Sequence, residues 1–348
     1  MEQLMLADQS VGAGFPPYVI AEIGANHNGD MGLARETIAA AQACGADAAK
    51  FQSWSPEGLV SQGEFARNAA AAGSKVSPKL MEMRQHQLST QQHQELAKYC
   101  QGVGIAFLSS SFSASEVDLL DSLDVPAFKI ASMDVNNPPL LAYTAKKGRP
   151  VVLSTGMATL GEIETALGIL RENGSGPVAL LHCVAIYPPD DNAVHLGNMA
   201  TLRQAFDAPV GFSDHTLGPT LTLAAIALGA CIVEKHFTLD KAMEGWDHAI
   251  SADPDDLRII VGEGRRVFSA IGSSVRTVSA VEMEKRKVFR RRLVVTRDVR
   301  SGETLSPDDV DSRRPGTGIG PDELRYVLGR PLTRDIGAEE ELEWADLA

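Results

Sequence analysis

Eight times along this chain a short apolar run ends in polar residues and is followed by a stretch with helical patterning. The runs cover residues 18–22, 46–52, 105–109, 127–132, 151–155, 178–182, 210–214 and 232–236. Five or six such units would suit an open, doubly wound sheet, whereas eight predict an α/β fold closed as a (β/α)8 TIM barrel. Active sites of such barrels lie at the carboxyl ends of the strands, so the polar tips mark the reacting surface.

A barrel of this kind needs roughly 250 residues, and the chain has 348, so a second, smaller domain is expected. The barrel is assigned to residues 1–275, a linker to 276–292 and a compact domain of short mixed elements to 293–348. Helices are expected at 33–44, 113–123, 160–172, 219–228 and 255–271, the second capped by Ser113 with Glu116 three residues on. Residues 53–98, rich in Gly, Ala and Gln, are expected to form a flexible active-site flap leading into a helix. In the last domain a strand is expected at 293–296, with short helices starting at Ser306-Pro307 and Pro321.

The formal charge of −13 argues against nucleic-acid binding, which depends on neutralising phosphates. The basic run Lys285-Arg286-Lys287 and Arg290-Arg291-Arg292 reads as a solvated linker or domain-interface face. No apolar run approaches the ~20 residues that cross a bilayer, and the opening MEQLMLADQS lacks a basic segment before an apolar one, so cytoplasm is the expected compartment. Four scattered cysteines without C-x-x-C spacing read as reduced core residues, Cys183 beside His182 included.

Residues two apart on a strand share a face. Lys50 and Gln52 therefore project together with Phe51 turned to the helices, and Glu234 pairs with His236 while Lys235 lies outside. His215 and His236 end neighbouring strands, where two imidazoles suit a divalent cation such as Mn2+ or Zn2+. Lys50 and Lys129, among Ser110, Ser132, Ser154 and Ser213, suit a small compound carrying phosphate and carboxylate. The alternative is a structural ion pair between one of these lysines and Glu22 or Glu234.

The string AEIGANHNGD at 21–30 and KFQ at 50–52 resemble the sialic acid synthase family. So do FKIAS at 128–132 with Asn136-Asn137, LSTGM at 153–157, LHC at 181–183 with Tyr187-Pro188, GFSDHT at 211–216 and EKHFT at 234–238. RRPGTGI at 313–319 resembles the signature of that family's antifreeze-like (SAF) domain. The resemblance implies condensation of phosphoenolpyruvate with an N-acetylated hexose aldehyde and water, giving phosphate and a nine-carbon 2-keto acid. It implies Mn2+, with Mg2+ or Co2+ as alternatives, on His215 and His236, and phosphoenolpyruvate on Lys50, Gln52, Ser110, Lys129, Ser132, Ser154 and Ser213. Glu22 would move a proton or position the water, and Asp134, Tyr187, Asp247 and Arg314 would contact the sugar. A domain-swapped homodimer is implied, with Arg314 reaching the partner's barrel.

Three places depart from the family pattern: Asp134 stands for Glu, Ala185 for Asn or Ser, and Trp246 for Pro before the SADP of 251–254. The expected acceptor is N-acetylmannosamine, with its 6-phosphate and the diacetamido-trideoxyhexoses of legionaminic or pseudaminic acid as alternatives. A non-catalytic carbohydrate-binding protein would have no use for both His, both Lys and Glu22 together. An enzyme making seven- or eight-carbon keto acids would have no use for the last domain.

Overall fold

Two short apolar runs at the start pair as an antiparallel hairpin, β1 (Leu4–Leu6) and β2 (Gln9–Val11), in a computed structural model that describes residues 3–314 and 316–348. Eight parallel strands then follow: β3 (Tyr18–Gly24), β4 (Ala48–Ser53), β5 (Ala106–Ser111), β6 (Phe128–Ile130), β7 (Val151–Ser154), β8 (Val178–Cys183), β9 (Val210–Asp214) and β10 (Ile232–His236). They close as a barrel in chain order, with β10 returning to β3. The expected (β/α)8 barrel is the fold, and each expected run overlaps a strand. The fourth is shortest because the chain leaves β6 for a 3-10 turn, Ser132–Asp134, closed by the Asp134 amide on the Ala131 carbonyl.

Strand alternation sorts the apolar residues into two cores. Side chains turned outward, such as Ala21, Ile23, Phe51 and Phe212, pack against the helices. Those turned inward near the strand starts, among them Ile20, Leu108, Val152, Leu181 and Ile232, meet Leu4, Leu6 and Val11 of the hairpin. The hairpin thus plugs the amino end of the barrel with side chains, leaving the carboxyl end to polar chemistry.

Residues 53–98 do not form a structureless flap. Helices span Pro56–Leu59, Gln62–Ala71 and Pro78–His86, the last two capped by Ser61 and Ser77, whose hydroxyls accept from the amides of Glu64 and Leu80. Trp54, Phe65 and Met83 give this insertion a small core of its own. A boxed helix, Thr90–Val103, then leads into β5. The helix expected at 113–123 is Ala114–Ser122, but Ser113 makes no side-chain cap bond. Glu116 instead accepts from the amides of Phe112 at 2.8 Å and Ser55 at 3.2 Å, tying the helix start to the loop after β4.

A second compact unit begins after Gly272. The stretch read as a linker carries a boxed helix, Ala280–Phe289, none of whose residues is buried. Beyond it β11 (Arg292–Val295) pairs antiparallel with β12 (Val310–Arg313) over a core that includes Leu293, Val299, Leu305 and Leu342. Short 3-10 turns start at Pro307 and Pro321, where proline begins a turn at no hydrogen-bonding cost. Among the described residues no helix is long and apolar enough to cross a membrane.

Lys235 does lie on the outer face of β10, yet it is buried there. Its ammonium donates to Asp214 Oδ2 at 2.8 Å and to the Thr216 carbonyl at 2.6 Å. Asp214 also accepts from the Thr216 amide and hydroxyl and from Thr222, so this ion pair shapes the loop that carries His215.

Two stability changes follow from these packings. Leu6→Ala opens a cavity in the barrel plug and is expected to lower barrel stability by about 2–5 kcal/mol in urea titrations, against wild-type values if the hairpin is dispensable. Lys235→Met leaves Asp214 charged and buried, with an expected loss of about 3–5 kcal/mol, part of which Lys235→Met with Asp214→Leu should recover.

Candidate active site

Parallel register sets Glu22 of β3 level with Lys50 of β4 on one side and His236 of β10 on the other. The same register sets Ser110 beside Lys129 and Ser213 beside Glu234. Residues scattered over the sequence thereby form one polar layer at the carboxyl end. Gly24, at φ +54, breaks the register of β3 just past Glu22. A Cβ there would stand 3.1 Å from Glu22 Oε1 and 3.3 Å from Gln52 Nε2, crowding the bond between those two side chains.

The lysines are held by charge and by hydroxyls. Lys50 Nζ lies 2.6 Å from Glu22 Oε2 and 3.6 Å from Glu234 Oε1, and donates to Ser110 Oγ at 3.1 Å. Lys129 Nζ donates to Ser154 Oγ at 2.7 Å and lies 3.7 Å from Glu234 Oε1. Gln52 Nε2 donates to Glu22 Oε1 at 2.9 Å, and Ser213 donates to Glu234 at 3.4 Å. Ser132 Oγ accepts from the Gly156 amide. Of the two alternatives read from the sequence, the structural ion pair is present, and both lysines also line the cavity.

Burial dominates the titration of this layer. It pushes the Glu22 carboxyl up to about 7, against the pull of Lys50. Glu234 is equally buried, but Lys129 and Lys50 hold it below the usual carboxylate range. Burial pulls Lys50 down, and the two glutamates overcome that and raise it. Lys129, with Glu234 alone close by, stays lowered by burial.

The two imidazoles face each other across β9 and β10, ring centroids 5.5 Å apart. Burial lowers the pKa of both, that of His236 strongly, so at neutral pH each ring keeps one unprotonated nitrogen. His215 Nδ1 donates to the Val184 carbonyl at 2.9 Å, which leaves Nε2 as the acceptor. His236 Nδ1 is buried with no hydrogen-bond partner, and Asp247 Oδ2 lies 3.7 Å away. Tyr187 stacks on His215 at 4.0 Å and meets His236 edge-on. Among the described residues no three His, Cys, Asp or Glu side chains surround a common metal position. The orphaned Nδ1 and the free Nε2 still fit a cation that takes two protein nitrogens and fills its other positions with substrate and water.

A cavity of about 420 Å³ opens over this layer, lined by Glu22, Lys50, Gln52 and Ser110 on one side and by Lys129, Ser132, Ser154 and Ser213 on the other. Tyr187, His215, His236 and Asp247 complete the expected set. One expected residue of the barrel does not line it: Asp134 is buried in the 3-10 turn, where Oδ1 accepts from Asn137 Nδ2 at 2.9 Å. Arg314 belongs to the second unit, with its guanidinium 5.7 Å from the Phe289 ring; Pro315 beside it lies outside the described residues.

Glu234, expected only as one possible ion-pair partner of a single lysine, stands near both and is their common counter-charge. Leu59 at the end of the first insertion helix, Met133 of the 3-10 turn, and Phe112 and Met157 from loops also line the mouth. Cys183 lines it too, but burial raises its thiol pKa, so it stays protonated. Trp246 has a clear structural part. Its Nε1 donates to Glu82 at 2.5 Å, and its ring stacks on His86 at 4.8 Å and Trp54 at 6.1 Å. The loop bearing Asp247 is thereby fastened to the helical insertion.

Known proteins resemble this chain in sequence and in fold. The NeuB family model matches residues 37–276, and the SAF domain model matches residues 290–348. The chain is 39% identical over 325 residues to the N,N'-diacetyllegionaminic acid synthase of Campylobacter jejuni, covering 92% of this chain and 97% of that one. It is 35% identical over 333 residues to the N-acetylneuraminate-9-phosphate synthase of Mus musculus, covering 95% and 92% respectively. The crystal structure of the N-acetylneuraminic acid (sialic acid) synthetase of Leptospira borgpetersenii, in complex with citrate, matches with a TM-score of 0.74 at 33% identity, covering 82% of this chain and 95% of that one. With the NeuB model matched over residues 37–276 and the SAF model over 290–348, the chain belongs to the NeuB family of nonulosonic acid synthases, with a C-terminal SAF domain.

Proposed function

We propose that this chain condenses phosphoenolpyruvate with an N-acetylated hexose aldehyde and water, yielding a nine-carbon 2-keto acid and phosphate. The observation that carries this reading is the placement of two buried ammonium groups, each with a serine hydroxyl, in one cavity with two neutral imidazoles. Lys50 with Ser110 and Lys129 with Ser154 offer charge-assisted donors to the carboxylate and phosphate of phosphoenolpyruvate. Its C3 attacks the aldehyde carbon, water adds at C2, and the tetrahedral intermediate expels phosphate. Glu22, fixed by Lys50 and Gln52 and with its carboxyl raised by burial, is placed to hold or move the proton of that water.

His215 and His236 would hold a divalent cation, Mn2+ first and Mg2+ or Co2+ as alternatives, which supplies Lewis acidity toward the aldehyde oxygen when bound. Tyr187 and Asp247 flank the imidazoles and would bind the sugar. Arg314 would complete the sugar site from a partner chain in a domain-swapped homodimer. N-acetylmannosamine is the first acceptor to test. The diacetamido-trideoxyhexoses form the second reading, favoured by the likeness to the Campylobacter jejuni enzyme and by Ala185, which offers no side-chain hydrogen bond.

The test is phosphate release from phosphoenolpyruvate and Mn2+ with a panel of amino sugars, which a carbohydrate-binding protein would not show. Lys129→Ala removes a charged hydrogen bond of about 2–3 kcal/mol and should raise the KM for phosphoenolpyruvate roughly 30- to 150-fold. A change confined to the sugar KM would reverse the placement of the two substrates. His215→Ala and His236→Ala should each abolish turnover and weaken Mn2+ binding in calorimetry. Mixing Arg314→Ala with His236→Ala chains should restore part of the activity, and no recovery after verified subunit exchange would place Arg314 within its own chain.

A further inference from the structure

The loop after β10, residues 237–253, brings Asp247 to the mouth, where it lines the cavity together with His236. Its carboxylate lies 3.7 Å from His236 Nδ1 and, among the described residues, accepts no hydrogen bond. The direction in which it points is therefore inherited from the backbone that bears it.

Hydrogen bonds on both sides fix that backbone. Ser251 donates to the Asp247 carbonyl at 2.6 Å and accepts from Asn26 Nδ2 at 2.9 Å. Asn28 Nδ2 donates to the Glu244 carbonyl at 2.9 Å, and a Cβ on Gly245, at φ +154, would stand 2.7 Å from Asn28 Oδ1. Those ties come from the loop after β3. The insertion supplies another, through Trp246 beside Asp247. The indole donates from Nε1 to Glu82 on the helix Pro78–His86, and its ring stacks on His86 and Trp54. His86 is fixed in turn, Nδ1 donating to the Glu82 carbonyl at 2.9 Å. An indole that is 41% exposed and yet held by Glu82, His86 and Trp54 is not there to fill a core. It joins two walls of one cleft, since the insertion also sends Leu59 to the mouth.

We propose that Trp246 is a positioning residue for acceptor binding: it clamps the loop after β10 to the insertion and thereby sets the Asp247 carboxylate beside His236. The assignment rests on the condensation reading above and gives the insertion a part in it. On that reading phosphoenolpyruvate meets Lys50 and Lys129, which stand on β4 and β6 and are not touched by the clamp. Loosening the clamp thus acts on one substrate and spares the other.

The experiment follows phosphate release by the full chain with Mn2+, varying phosphoenolpyruvate and the best acceptor of the panel in turn. Trp246→Ala should lower kcat/KM for the acceptor about tenfold or more and leave the KM for phosphoenolpyruvate within about twofold. Trp246→Phe and Glu82→Ala lose the bond between the two residues but keep a ring on His86, and each should cost the acceptor about threefold. In an Asp247→Ala chain, adding Trp246→Ala should make no further difference to the acceptor, because its effect passes through Asp247. Urea titration shows which variants are folded, and the exciton band of the stacked Trp54 and Trp246 rings in circular dichroism reports the clamp. Should Trp246→Ala fail to fold, Glu82→Ala enters the same cycle with Asp247→Ala. Unchanged acceptor kcat/KM in a folded variant, an equal rise in both KM values, or an undiminished effect in the Asp247→Ala chain would each overturn the positioning role and leave the condensation reading standing. Absence of phosphate release from the unaltered chain with every sugar would remove both.

Discussion

Two lysines and two glutamates, all buried at the carboxyl end of the barrel, depend on one another for their charge. Glu234 stands between Lys50 and Lys129, and Glu22 closes on Lys50 from the neighbouring strand. A lone charge at this depth would cost several kcal/mol, so each group is tolerable only because the others stand at these distances. Parallel register keeps them there: neighbouring strands hold their tips level, and the closed sheet leaves no edge along which one tip can slip. The layer balances its own charges while both ammonium groups line the cavity. Its asymmetry matters as much as its balance. Glu22 titrates near neutrality, whereas Glu234 stays ionised, so two like side chains take different parts in one site.

The rest of the barrel protects that layer. The hairpin fills the amino end with Leu4, Leu6 and Val11, so the barrel interior is apolar below and polar only at the top. Outside the barrel, Lys235 and Asp214 form a separate ion pair beneath the loop that begins at His215. Asn26 makes a matching brace on the other side, donating to the Phe237 carbonyl and to Ser251 and so holding the loop after His236. Both candidate metal-binding imidazoles thus sit on backbone fixed by buried polar contacts that do not touch the cavity. Rigid support of this kind is what preorganised chemistry requires.

The mouth is built differently from the floor. Trp246 stacks between the insertion and the loop carrying Asp247, so the helices of 56–86 act as a wall of the site. Around it Met133, Met157 and Tyr187 expose apolar surface. A charged floor thus lies beneath an apolar wall in one cleft.

Strand-period patterning and polar strand tips made the barrel legible, because a parallel strand's residues two apart must share a face and its carboxyl tip must face the reacting side. For the same reason Lys50, Gln52, His215 and His236 could be placed from local sequence. Four things lay beyond it: the hairpin plug, the helical insertion, the part of Trp246 and the position of Asp134. The plug, the insertion and the part of Trp246 depend on contacts between segments far apart in the chain, such as Trp246 with Glu82, whereas Asp134 is turned aside by its own 3-10 turn and the bond from Asn137. Ser113 shows the same limit at short range: its cap pattern was present, but Glu116 found a better use bridging two amides. Sequence alone determined which groups stand at the strand tips. Tertiary structure decided which of them pair, since charge pairing depends on distance across the barrel and on burial, and neither is a property of any one strand.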